Sequence, residues 1–152
     1  MQIAIGSDHG GFALKEELKK YLSELGYSVK DYGCYSTEAV DYPDIAFLVA
    51  RAVASREYEF GIMVDGTGIA SAMVANKIRG IRASACNEVF LAISSKEHNN
   101  ANMLCLGASV LAGPKAKLIL KTWLDTPYAG GRHQKRIDKI NDIESKFLNP
   151  IL

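Results

Sequence analysis

The chain has 152 residues, 48% of them apolar and 23% charged, and a formal net charge of +1. That length suffices for one domain, residues 1–152, with a sizeable core, and the near-zero charge argues against a globally basic nucleic-acid binder or membrane-surface protein. No apolar run approaches the ~20 residues of a bilayer span, the start Met1-Gln2-Ile3-Ala4-Ile5 lacks a basic leader, and Cys34, Cys86 and Cys105 form no C-x-x-C pair, so a cytoplasmic protein with buried thiols and no zinc site is expected.

Ile3-Ala4-Ile5 reads as a strand, and the apolar spacing from Phe12 to Leu25 predicts a helix closed by Gly26. Tyr27-Ser28-Val29 is a weak second strand. A loop then leads to Asp41-Tyr42-Pro43-Asp44, where Pro43 suits the first turn of a helix running through Val53. Phe60 to Val64 is a buried strand, turned by Gly66-Thr67-Gly68 into a helix ending near Asn76. Ile81 to Ala85 predicts a strand, Val89 to Lys96 a helix, Met103 to Leu106 a strand and Ala116 to Trp123 a helix. A polar, basic helix follows Gly130-Gly131, and Tyr42 and Trp123 read as partly buried packing residues. Strands alternating with helices imply an α/β parallel sheet covered on both faces, with chemistry just beyond the strands' carboxyl ends.

Four segments carry candidate chemistry. Ser7-Asp8-His9-Gly10-Gly11 places a carboxylate and an imidazole after the first strand, although Asp8 could equally cap the next helix. Asp65-Gly66-Thr67-Gly68-Ile69-Ala70 presents backbone N–H groups at a helix start, an anion nest with Asp65 poised as a general base and Thr67 adding a hydroxyl; a plain strand-to-helix turn is the rival. Glu97-His98-Asn99-Asn100 is either a polar turn or a site segment. Arg132 and Arg136, four residues apart, share a helix face and can grip a phosphate together, with a solvated basic face as the alternative.

Taken in order, Ser7-Asp8-His9-Gly10-Gly11, Asp41-Tyr42-Pro43, Gly66-Thr67-Gly68, Ala75-Asn76-Lys77, His98-Asn99 and Gly130-Gly131-Arg132-His133-x-x-Arg136 resemble the sugar-phosphate isomerase family that holds ribose-5-phosphate isomerase B and the subunits of galactose-6-phosphate isomerase. The resemblance implies a Rossmann-like α/β/α sandwich with five parallel strands and an extra C-terminal helix. It implies a homodimer or dimer of dimers with active sites between subunits, aldose–ketose isomerisation through a cis-enediolate, and no metal or organic cofactor. By the same resemblance Asp8 and His9 contact sugar and phosphate, Arg132 and Arg136 bind phosphate, and His98 opens the furanose ring. The backbone of Gly66, Thr67, Gly68, Ile69 and Ala70 would stabilise the enediolate, and Asn99 would reach the substrate from the partner chain.

Two positions depart from the family pattern. Many members carry a cysteine base directly before Gly-Thr-Gly, where this chain has Asp65, as does one galactose-6-phosphate isomerase subunit. Others place a glutamate base where this chain has Ser71. Ser109 stands where many ribose-5-phosphate isomerases have an arginine.

Overall fold

The computed structural model describes residues 1–151. In chain order the elements are β1 (Gln2–Ser7), α1 (Phe12–Glu24), β2 (Ser28–Asp31), α2 (Tyr42–Ala54), β3 (Phe60–Asp65), α3 (Ile69–Ala75), β4 (Ala83–Ala85), α4 (Val89–Glu97), β5 (Met103–Gly107), α5 (Gly113–Asp125) and α6 (Arg132–Phe147). The five strands form one sheet in the order β2-β1-β3-β5-β4, with every neighbouring pair parallel. The expected α/β layering and strand number are observed.

Alternation along the strands splits the core in two. Ile3, Ile5, Ile62, Val64, Leu104 and Leu106 face a cluster completed by α1 and α5. Ala4, Met63, Met103 and Cys105 point the other way, onto α2 and α3. Trp123 is fully buried rather than partly so, because its indole N–H donates to the Ser95 hydroxyl at 3.1 Å inside the first cluster. Tyr42, by contrast, is 36% exposed. The fourth strand is shorter than expected: Ile81 is a buried turn residue, its N–H bonded to the Ile78 carbonyl, and pairing with β5 begins at Ala83. α6 buries only Ile137 and leaves Ile140, Ile143 and Phe147 exposed. None of the described helices is long and apolar enough to cross a membrane.

The strand order creates a switch point. The chain leaves β1 through α1 on one face and β3 through α3 on the other, so the carboxyl ends of these adjacent strands open onto one crevice. The Asp8–Gly11 and Gly66–Gly68 turns flank it.

Candidate active site

Asp65 ends β3 and is 3% exposed. Its Oδ1 accepts the N–H of Thr67 at 3.0 Å and that of Gly68. Its Oδ2 accepts the Ser71 N–H at 2.9 Å and the Ser71 hydroxyl at 2.6 Å. Two oxygens with two lone pairs each are thus met by four donors. Gly68 caps α3 at φ +82°, a left-handed backbone that suits glycine, with the Cys105 backbone pressed close against it. Gly107 makes similar room, since a Cβ there would lie 2.7 Å from the Thr67 Cα. Asn87 clamps the turn from outside, donating to the Thr67 carbonyl at 2.8 Å and accepting the Gly107 N–H at 2.9 Å.

This geometry narrows the expected anion nest. The amides of Thr67 and Gly68 are spent on Asp65, and that of Ile69 lies 3.3 Å from the Thr67 hydroxyl oxygen. Among the described residues, the N–H groups of Gly66 and Ala70 have no protein acceptor and are the donors of this turn open to a ligand. Nearby, the Asp8 Oδ1 accepts the Gly11 N–H at 2.9 Å, tightening the entrance to α1, while His9 is exposed. Burial pushes the Cys105 thiol well above its usual range, reinforced by Asp65 and Cys86, so it offers no thiolate behind this turn.

His98 and Asn99 lie elsewhere. α4 runs back from the carboxyl end of β4, and His98 is its C-cap, so both residues sit at the amino end of β5. The Asn99 carbonyl accepts from Arg82 Nε at 3.0 Å, and the Ala129 N–H donates to the Glu97 carbonyl at 3.0 Å. The latter bond brings the start of α6 against His98, whose ring stacks on His133 at 4.5 Å between centroids and 16° between planes. Slight desolvation, then the charges of His98, Arg132 and Arg136, push the His133 imidazolium down; Glu97 opposes them. Arg136 Nη1 donates to the Arg132 carbonyl at 3.3 Å, which ties the Arg136 guanidinium to the first turn of α6, and both arginines are exposed. The His133 and Gln134 amides already bond to the Gly130 and Gly131 carbonyls, so attraction for an anion here falls mainly on the arginines.

The expected site residues therefore form two groups. Asp8, His9, Asp65 and the Gly66–Ala70 turn converge at the carboxyl ends of β1 and β3. His98, Asn99, Arg132 and Arg136 gather at the sheet's amino end, joined by His133, which lies within the expected motif without an expected role. The six residues of β3 alone separate the ends by roughly 20 Å. One chain does not bring the groups together.

A doubly wound α/β protein with glycine-rich turns at its switch point is the class defined by this architecture. The model of the Ribose/Galactose Isomerase family matches residues 3–140, and the chain belongs to that family. It is 45% identical to ribose-5-phosphate isomerase B of Escherichia coli (strain K12) over 145 residues, 95% of this chain and 97% of that protein. It is 38% identical over 145 residues, 95% of each, to D-erythrulose-4-phosphate isomerase of Pectobacterium atrosepticum. The solved ribose-5-phosphate isomerase B of Clostridium thermocellum superposes with a TM-score of 0.95 at 47% identity, covering 97% of this chain and 99% of that one.

Proposed function

We propose that this protein interconverts an aldose phosphate and its ketose phosphate, with ribose 5-phosphate and ribulose 5-phosphate as the leading pair. The near full-length similarity to ribose-5-phosphate isomerase B carries this reading. The tetrose-phosphate relative supports a second substrate with the same reacting end.

In the proposed cycle, Arg132, Arg136 and His9 hold the phosphate, and Asp8 contacts the sugar. His98 moves a proton to or from the ring oxygen, freeing the open-chain carbonyl. Asp65 then takes the proton from C2 of the aldose; the C–H pair becomes the C1–C2 double bond, and the carbonyl pair moves onto O1. The Gly66 and Ala70 amides stabilise that oxyanion, an interaction typically worth ~3–4 kcal/mol per donor in the transition state. Transfer of the O2 proton to O1 and return of the carbon proton from Asp65 to C1, as the C1–C2 double bond gives way to C2=O2, leave the ketose. For Asp65 to accept a proton, one of its four donors must withdraw. Three are backbone N–H groups fixed by the turn and α3; the Ser71 hydroxyl alone swings on a single bond.

The two groups at opposite ends of the sheet support a site completed by a second copy, the amino-end group of one chain meeting the carboxyl-end group of the other. The exposed Ile140, Ile143 and Phe147 of α6, beside a groove lined by Ile81 and Ala83, support an apolar interface for that copy. Three buried free thiols suit a reducing cytoplasm. The test is turnover by the purified chain on aldose and ketose phosphates of four to six carbons. Turnover fastest on ribose 5-phosphate is expected, and no turnover on any of them overturns the reading.

A further inference from the structure

Lys15 lies in the first turns of α1 and is fully buried, where an ammonium persists only if its charge and all three N–H donors are met. Its Nζ donates to both carboxylate oxygens of Asp31 at 2.8 Å, and to the Cys34 carbonyl. Asp31 closes β2 and also accepts from Lys19 Nζ and from the Gly33 N–H, each at 2.8 Å. Burial alone would raise the Asp31 carboxyl, but Lys15, Lys19 and Gly33 together hold it below the usual carboxylate range. Asp31 is therefore a fixed anion to which the following loop is tied.

That loop crosses the carboxyl end of β1. The Ser7 N–H donates to the Gly33 carbonyl at 2.7 Å, and the Cys34 N–H donates to the Ser7 carbonyl at 2.9 Å. Farther along, the loop reaches the imidazole of His9. The Val40 N–H donates to His9 Nδ1 at 3.2 Å, and the Val40 carbonyl oxygen lies 3.3 Å from the same nitrogen. A neutral ring that accepts at Nδ1 carries its hydrogen on Nε2, which is then the donor left for a ligand. No side chain of the Asp8–Gly11 turn fixes this ring; a peptide 31 residues away in sequence does.

We propose that Lys15 is a positioning residue for substrate binding: through Asp31 and the Cys34 carbonyl it holds the Gly33–Val40 segment, whose last peptide sets the direction and tautomer of His9. The proposal rests on the reading of His9 as a substrate contact, and a double-mutant cycle separates the two. The His9→Ala enzyme should show KM raised roughly ten-fold, the size expected for a lost hydrogen bond to a charged group. Lys15→Met should raise KM several-fold in the wild type, with kcat changed less, and should add nothing in the His9→Ala background; Lys15→Arg should restore part of the loss. Equal losses from Lys15→Met in both backgrounds overturn the proposal while leaving the reading of His9 intact. An unchanged KM in His9→Ala overturns both.

Should Lys15→Met not fold, Asp31→Asn takes its place in the same cycle. A second readout is independent of turnover. Imidazole nitrogen NMR at about pH 8.5, above the ordinary histidine range, should show the Nε2–H tautomer of His9 in the wild type and a mixture in the Lys15 or Asp31 variant. Identical tautomer populations in wild type and variant overturn the proposal.

Discussion

Ser71 meets Asp65 twice, its N–H donating to Oδ2 at 2.9 Å and its hydroxyl donating to the same oxygen at 2.6 Å, with both side chains buried. The strand-end carboxylate is thereby folded back onto the turn it precedes. It holds the amides of Thr67 and Gly68 in the arrangement an incoming oxyanion would otherwise find. The Ser71 hydroxyl is the one donor of the four that can be deleted without altering the backbone.

Ser71→Ala separates a reacting carboxylate from a purely structural one. Loss of the hydroxyl leaves one lone pair of Asp65 Oδ2 without a donor while the three backbone donors stay in place. If that oxygen takes the substrate's proton, kcat should hold or rise, because a base with an open lone pair need displace no donor. A lower kcat would assign Asp65 to holding the turn.

Much of this was legible in the residues. β1, β3 and β5 are buried on both faces and read as continuous apolar runs, and Gly26 closes α1 with φ +91° as its position suggests. α5 begins at Gly113, three residues before the expected Ala116, because Pro114 suits the first turn of a helix. The division of the site was latent in the order of segments: Asp8 and Asp65 directly follow strands, whereas His98 and Asn99 follow a helix and precede one. In a parallel sheet those positions lie at opposite ends.

Long-range partnerships were not legible. Lys15 and Lys96 look like surface residues of their helices, and only folding brings Asp31 to the first and the rings of Phe60 and Trp123 to the second. The Ser71–Asp65 contact likewise depends on how tightly the intervening glycines let the turn close.

Lys96 predicts an alkaline stability effect. Its Nζ lies 3.9 Å from the Phe60 ring centroid and 4.5 Å from that of Trp123, and burial lowers the ammonium from 10.5 to about 8, with Glu59 opposing. The folded state holds this proton less tightly than the unfolded chain, so unfolding takes up a proton between about pH 8 and 10.5 and stability should rise with pH across that window. The full effect is at most of order 3 kcal/mol, and the two ring faces offset part of it. The buried Cys105 thiol pulls the other way above about pH 9. Denaturant unfolding should therefore show a more positive slope of stability against pH in the wild type than in Lys96→Met; equal slopes in both would rule Lys96 out.

The stacked His98 and His133 predict a response to phosphate. Desolvation and neighbouring positive charge hold His133 below the usual histidine range, so a dianion bound between Arg132 and Arg136 should offset the charge and raise its midpoint. Proton NMR titration with and without inorganic phosphate measures this directly. Arg132→Ala should raise the unliganded midpoint and weaken the response, while a phosphate-independent midpoint would place the anion elsewhere.

The central claim is that each active site joins the carboxyl-end group of one chain to the amino-end group of another. Asp65→Asn and His98→Ala chains, each inactive alone, should be unfolded together, refolded and assayed. If the sites are shared within dimers, statistical mixing makes half of the dimers mixed with one intact site each, and roughly a quarter of wild-type activity should return. Activity no greater than the sum of the two separate variants, in a mixture shown to contain mixed dimers, would contradict the claim.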